Sequence, residues 1–470
     1  MSNNEKALKS GVWYTVSNLL VRNIGLLTTP IFTRILSKAD YGNYNNYLSW
    51  QGIILIVVTL NLEASLISAK FDYKDNFKEY IFSVLSLSTV SVVIWTIIFN
   101  LFQNSLSDFL GMSPVYLNII MLYCCFNSSV NMFQVSERFQ YKYKSAVFIA
   151  ILTAVGTAGL SLIMVFSMDN KLMGRTLGGV LPVALIGLVL YVIIAYQGKH
   201  IDVQTWKYAL KICIPYIPHL LSLTVLNTMD RVMIKRICGA EDNALYSLAY
   251  NCGAMVTILL TSMNTAFSPW LGDNLHENNY EDTRRVSKYY MLSFCYLAIG
   301  IMLLAPEVLL IMGGRSYLEA KYVMTPVAMG CVCQFMYTMY VNVEQYKKKT
   351  IGMAFASMGA ALVNLVLNLV FIPVFGYIAA AYTTLVGFLF LLIVHMLLVK
   401  RIGCERVYDN KMTLVVMIAM MACAVGINFL YMNNLARYIV IAGYAVGTVI
   451  LFYNKRKIIM NLLSKIVKRG

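Results

Sequence analysis

Fourteen runs of at least 20 largely apolar residues recur along the chain, at about 11–36, 44–68, 80–102, 113–135, 146–167, 172–197, 209–236, 244–271, 286–312, 322–346, 351–371, 376–399, 412–431 and 435–454. Roughly 20 apolar residues make a helix long enough to cross the hydrocarbon core of a bilayer. The pattern therefore predicts an all-α polytopic membrane protein with about 14 transmembrane helices. Of the 470 residues, 59% are hydrophobic and 13% are charged, against about 25% charged in a typical soluble domain. A water-soluble enzyme, a disordered scaffold and a nucleic-acid-binding protein are excluded on these grounds.

The formal net charge of +16 asks where the 38 Lys and Arg residues lie. With the N-terminus placed in the cytoplasm, 27 fall on the cytoplasmic side and 9 on the other, and Arg22 and Arg231 are left inside spans. This alternation is what the positive-inside rule expects, and it places both termini in the cytoplasm. Most of the positive charge then reads as topological anchors beside anionic lipid. The first apolar run is too long for a cleavable signal peptide and ends in Thr-Thr-Pro, so it is read as a retained span. The ten cysteines sit mostly inside apolar runs as packing residues. Cys331 and Cys333 have no partner pair, and no metal site is expected.

Residues 33–44 read TRILSKADYGNY, and residues 235–246, 202 positions later, read KRICGAEDNALY. Arg, Ile, Asp and Tyr match without a gap, at an offset of six spans. This predicts an N-lobe of spans 1–6 over residues 1–200 and a C-lobe of spans 7–12 over 201–402. Spans 13–14 and a basic cytoplasmic tail follow over 403–470. Parallel repeats of this kind are a transporter architecture with substrate handled between the halves. Every connection is short, and the stretch 198–211, with Trp206, reads as an interfacial helix.

A charge at the bilayer centre costs about 2.5–3.5 kcal/mol even on the gentler scales, so intramembrane polar residues carry information. Thr15, Asn18, Arg22, Gly25, Thr29 and Thr33 form one stripe on span 1 that cannot face lipid tails. It faces either a neighbouring helix, whose carbonyls Arg22 would bond, or a water-filled cavity. The cavity is favoured because Arg is always ionised and grips planar oxyanions bidentately. On span 7, His219 and Asp230 share a face and Arg231 adjoins Asp230; Pro215 and Pro218 predict a bend or break. Asp230 and Arg231 either pair with each other or serve a gate, and His219 is either structural or a proton carrier. Glu63 and Glu344, near the inner ends of spans 2 and 10, are candidates for an ion-coupling site or gate and, equally, for interfacial residues. Asn364 and Asn368, with Ser357 on the same face, suit interhelical hydrogen bonding.

No phosphate-cradling Gly-x-x-x-x-Gly-Lys-Ser/Thr loop occurs, so uphill work must draw on an ion gradient, the membrane potential or the substrate gradient. No catalytic constellation sits at a common depth and no cofactor is implied. The expectation is a protein that is not an enzyme.

The span 1 exit, with Pro30, Arg34, Leu36 and Asp40-Tyr41-Gly42-x-Tyr44, resembles the start of the Wzx-type oligosaccharide flippases of bacterial surface-polysaccharide synthesis. Ile214-Pro215-x-Ile217-Pro218-His219, Asp230-Arg231 and Tyr246 are similar to that family's second-half pattern. The resemblance implies the MOP (MATE-like) exporter superfamily and translocation of undecaprenyl-diphosphate-linked oligosaccharide units for O-antigen or capsule synthesis. These move from the cytoplasmic to the outer leaflet of the bacterial inner membrane, by alternating access. It implies a cationic cavity whose residues here are Arg22, with Asn18 and Thr29 on its stripe, and Arg231. Glu63, His219, Asp230 and Glu344 are its candidates for proton or sodium coupling or gating, and a polymerase complex is an implied partner beside the membrane lipids. A lipid II flippase is the nearest alternative. A MATE-type multidrug antiporter is disfavoured by Arg22, and a membrane polymerase by the lack of a long outer loop.

Overall fold

The computed structural model describes residues 21, 24–140, 143–349 and 351–469; side chains are described to Ile450, apart from Ala266, and at Tyr453. Arg22, Asn18 and Thr15 lie outside the described residues. Among those described there are helices and no strands. In chain order the helices are α1 (Ile24–Ile35), α2 (Lys38–Thr59), α3 (Leu66–Asp72), α4 (Phe77–Leu101), α5 (Gln103–Leu110), α6 (Pro114–Phe139), α7 (Tyr143–Ser167) and α8 (Lys171–Gly198). Then follow α9 (Val203–Cys213), α10 (Ile217–Ile237), α11 (Ala240–Gly253), α12 (Val256–His276), α13 (Tyr280–Leu303) and α14 (Ala305–Gly313). The last are α15 (Lys321–Tyr346), α16 (Ile351–Phe375), α17 (Tyr377–Arg401), α18 (Asn410–Leu430) and α19 (Asn434–Arg469).

Ten helical segments among the described residues are long and apolar enough to cross a membrane, or eleven when the bent pair of Lys38–Thr59 and Leu62–Asp72 is taken as one. α15 is long enough but is shielded from lipid. Eighteen of its 26 residues are buried, and a helix surrounded by protein does not need a lipid-facing side.

Four expected spans are interrupted, 244–271 and 286–312 only briefly, between α11 and α12 and between α13 and α14. The second breaks at Leu60 and Asn61, whose φ values of 55° and 47° are left-handed, and the chain bends by 54° there. At the start of the seventh, Pro215 lies within a 3-10 turn over Ile214–Tyr216 and Pro218 is the second residue of the helix that follows; each proline removes a backbone donor. α9 lies ahead of that turn and is anchored by Trp206, whose Nε1 donates to the Ser83 carbonyl at 2.7 Å.

Helices pack closely where side chains are small, as expected when no hydrophobic force draws them together in lipid. A Cβ on Gly178 of α8 would stand 2.3 Å from the Ser161 Cα of α7, and one on Gly42 of α2 would stand 1.8 Å from the Ala240 carbonyl oxygen of α11. One apolar cluster gathers chiefly residues 226–431 with Phe32, Leu36 and Tyr41; two others gather residues of 44–213 with Val232.

Hydrogen bonds that tie residues 24–198 to residues 217–449 gather at one end of the bundle, which we call the seam. Thr33 Oγ1 donates to the Met312 carbonyl at 2.5 Å, and Arg34 Nη2 to the Ile311 carbonyl at 2.9 Å. Asn243 Nδ2 donates to the Gly42 carbonyl at 2.7 Å, and Lys235 Nζ to the Gly111 carbonyl. Lys38 and Glu319 add an exposed ion pair at 3.9 Å. The bonds are reciprocal with respect to the repeat: Thr33 and Lys235 occupy matching positions 202 residues apart, and each reaches a carbonyl across the seam.

Candidate functional site

Behind the seam three cavities adjoin, of about 610, 380 and 330 Å³. The first two share Gly25, Tyr44, Leu48 and Arg175; the second and third share Ala254 and Thr257. The system thus runs from the helices before residue 198 to those after residue 217. Its polar lining is built from amides, hydroxyls and phenols, such as Gln51, Asn127, Asn131, Asn251 and Gln334. Among the described residues, Arg175 is the one charged side chain in the lining of the three.

Arg175 is the fifth residue of α8, a helix started by Asn170, whose side chain accepts from the Met173 N–H at 2.9 Å. Its guanidinium carbon lies 3.8 Å from the Phe32 ring centroid and 4.6 Å from that of Tyr44. Aromatic faces attract a guanidinium by about 0.5–2 kcal/mol, and stacking occupies its faces while leaving the in-plane N–H groups unused. Among the described residues none of those groups has a hydrogen-bond partner, so the side chain is held in place with its donors free. Such a guanidinium is suited to a planar oxyanion.

The charge tally had counted Arg175, with Lys171, as a loop anchor. That reading is corrected here, because Arg175 lies inside the helix and on the cavity wall. The available signal was its place one turn before Gly179 and two before Val183, which line the same cavity. Arg437, also counted as a loop charge, is 2% exposed. It forms a two-point pair with Glu307, at 3.0 and 2.6 Å.

The other expected residues are placed as follows. Thr29 lines the 380 Å³ cavity, with its hydroxyl bonded to the Gly25 carbonyl at 2.8 Å. Arg231 stands behind that wall. Its Nη2 donates to Asn251 at 3.0 Å and its guanidinium stacks on Tyr250 at 4.8 Å, while its Nε is buried without a partner. Asp230, fully buried, accepts from the Arg231 backbone N–H at 2.8 Å and from the Tyr246 hydroxyl. Glu63 sits in the break after α2 and accepts from Asn131 at 3.3 Å, and Asn131 lines the largest cavity. His219 Nδ1 is 2.9 Å from the Ser357 hydroxyl.

Glu344 is 1% exposed and lies 2.8 Å from His395 Nδ1, itself 2% exposed, so it does not reach interfacial water. Its second carboxylate oxygen is buried without a partner, and Tyr337 stacks on the imidazole at 5.5 Å. The sequence reading missed His395, 51 residues away. Asn364 donates to Thr384 at 3.1 Å, and Asn368 accepts from Thr383, which is the interhelical bonding expected of them. No group of three His, Cys, Asp or Glu side chains able to hold a metal occurs among the described residues.

A family model described as polysaccharide biosynthesis protein matches residues 7–275, more than half of the chain, and a second, MatE, matches residues 215–370. The "Lsg locus putative protein 1" of Haemophilus influenzae is 22% identical over 361 residues, which is 73% of this chain and 86% of that protein. Among solved structures, the lipid II flippase MurJ in an inward closed conformation superposes with a TM-score of 0.70 at 14% identity, covering 94% of this chain and 99% of MurJ. An inward-facing MATE multidrug resistance transporter of the MOP superfamily gives 0.61 at 15% identity, covering 83% and 99%. The chain belongs to the polysaccharide biosynthesis protein family and is a multi-pass membrane protein with the fold of the MOP-superfamily transporters, as its motifs implied.

Proposed function

We propose that this protein is a flippase for undecaprenyl-diphosphate-linked oligosaccharide units, moving them from the cytoplasmic to the outer leaflet of a bacterial inner membrane for O-antigen or capsule synthesis. The observation that carries the reading is the cavity lining: among the described residues, one guanidinium without a hydrogen-bond partner in a wall of amides and hydroxyls. A diphosphate needs the first and a saccharide the second, while the prenyl chain stays in lipid. A carrier of cationic drugs would want a carboxylate or an open aromatic wall in place of Arg175.

In this reading residues 1–200 and 201–402 are two lobes that rock about the cavity, with 403–470 appended. The seam lies on the outer side, as the lysine and arginine count would have it with both termini cytoplasmic, so the described conformation is closed outward. Arg22 and Asn18 precede Gly25 on the span 1 stripe and are assigned to the same headgroup site; Arg231 holds Asn251 against it. Coupling to protons or sodium is assigned to Glu63, His219, Asp230 and Glu344, of which Asp230 and Glu344 are buried, and a polymerase is the expected downstream partner.

The test is a deletion strain. It should accumulate a lipid-linked glycan on the cytoplasmic side and lose surface polysaccharide, and the wild-type gene should restore both while Arg175→Ala and Arg22→Ala should not. Unchanged surface polysaccharide in the deletion strain, or full rescue by Arg175→Ala, would overturn the reading.

A further inference from the structure

A separate cavity of about 180 Å³ lies on the seam itself, lined by Asn43 and Tyr47 of α2, Ser113 and Tyr116 at the start of α6, and Lys235 of α10. Tyr47 also lines the 610 Å³ central cavity, so one ring forms a partition between the two spaces. That residue is 3% exposed, and its hydroxyl is buried without a hydrogen-bond partner among the described residues. A buried unmet hydroxyl costs about 1–3 kcal/mol, which a ligand on either side of the ring would relieve.

The partition belongs to a row of aromatic rings. Tyr47 stacks on Tyr44 with centroids 6.2 Å apart, and meets Tyr116 edge-on at 6.3 Å. Arg175 stands over Tyr44 at the central end, and Lys235 stands at the seam end. The Lys235 ammonium is bonded to a neutral carbonyl, that of Gly111, and among the described residues no carboxylate forms an ion pair with it. The small cavity has no acidic lining residue. Lys235 is the one charged residue of its lining, with amide, hydroxyl, aromatic and the apolar Met112 and Leu172 walls, while the Asp40 carboxylate outside the lining acts on the Tyr116 hydroxyl; its volume falls below the roughly 300–1,000 Å³ of a whole-ligand site.

We propose that this pocket is a second subsite, on the seam side of Tyr47, for one anionic sugar ring bearing a phosphate or carboxylate group. Lys235 exchanges the Gly111 carbonyl for the anion, the Tyr47 and Tyr116 rings meet the sugar face, and Asn43 and Ser113 bond its hydroxyls. The proposal rests on the flippase reading for its place in transport, as the site a headgroup meets after leaving Arg175. Its binding chemistry is testable without transport.

Glucose 1-phosphate, glucose and inorganic phosphate are titrated calorimetrically into the full chain in nanodiscs. The proteins are wild type, Arg175→Gln, and Arg175→Gln combined with Lys235→Met or with Lys235→Arg, each checked for monodispersity. Arg175→Gln should retain one glucose 1-phosphate site. Adding Lys235→Met should weaken that site at least tenfold, and Lys235→Arg should keep most of it. Glucose and inorganic phosphate should each bind at least tenfold more weakly than glucose 1-phosphate. Loss of all binding in Arg175→Gln, binding indifferent to Lys235→Met, or equal binding of inorganic phosphate would overturn the subsite. Lys235-dependent binding in a protein that moves no lipid-linked glycan would overturn the flippase reading and leave the subsite standing.

Discussion

Tyr44 and Tyr246 occupy matching places in the two copies of the repeat, and each stands beside a charge inside the bundle. Tyr44 supports the Arg175 guanidinium on the cavity wall. Tyr246 is fully buried and donates its hydroxyl to Asp230. In the region after residue 217 the same pattern recurs: Asp230 has Tyr246 and a backbone N–H, Glu344 has His395, and Arg437 has Glu307. Before residue 198, Arg175 has aromatic faces and, among the described residues, free donors. Pairing with a protein partner fixes Asp230, Glu344 and Arg437 in place, whereas stacking holds Arg175 and leaves its in-plane donors available.

The largest effect expected from this contrast is on transport. If Arg175 grips a headgroup as proposed, Arg175→Ala removes at least two charge-assisted hydrogen bonds, each about 1.5–3 kcal/mol, so translocation of lipid-linked glycan in proteoliposomes should fall roughly a hundredfold or more. Membrane abundance should stay at the wild-type level. A variant that still transports would place Arg175 with the structural charges.

The Glu344–His395 pair should behave in the opposite way. His395→Leu alone strands a buried carboxylate, and breaking such a pair costs about 3–5 kcal/mol. The double variant Glu344→Met with His395→Leu should recover most of that loss in thermal unfolding, since an apolar replacement of both partners is often neutral. If the double variant is no more stable than the single, the pair is not the unit described here.

A smaller effect is expected at the seam. Gly42→Val forces a side chain onto the Ala240 carbonyl, and overpacking of this kind costs about 1–3 kcal/mol. The melting temperature should drop, and a Thr33→Cys, Met312→Cys pair should cross-link more slowly than in the Gly42 protein. Smallest of all, Asn368→Ala removes the bonds to Thr383 and Asn364 and should cost about 1 kcal/mol. A loss of transport without a loss of stability there would move the asparagines from the structural class to the site.

Helix positions were legible from apolar run length because each span must satisfy its own backbone in lipid. The break at Pro215 and Pro218 was legible for the same backbone reason. The break at Leu60 was not, since two ordinary residues in left-handed geometry carry no glycine or proline to mark it. Charges were harder to sort. Counting by side took Arg175 and Arg437 as anchors because each lies within a turn of a helix end, where a long side chain can reach either water or the interior. The partners of Glu344 and Arg437 lie 51 and 130 residues away, on helices whose adjacency no local pattern reveals. Thr29, by contrast, belongs to a stripe on one helix, which is a local pattern, and it lines the 380 Å³ cavity.

The most direct test is the affinity of the reconstituted protein for undecaprenyl diphosphate in wild type, Arg175→Lys and Arg175→Gln. A headgroup gripped by the free in-plane donors of Arg175 predicts binding that weakens by at least tenfold in Arg175→Gln and recovers partly in Arg175→Lys. Equal affinity in all three proteins would contradict it.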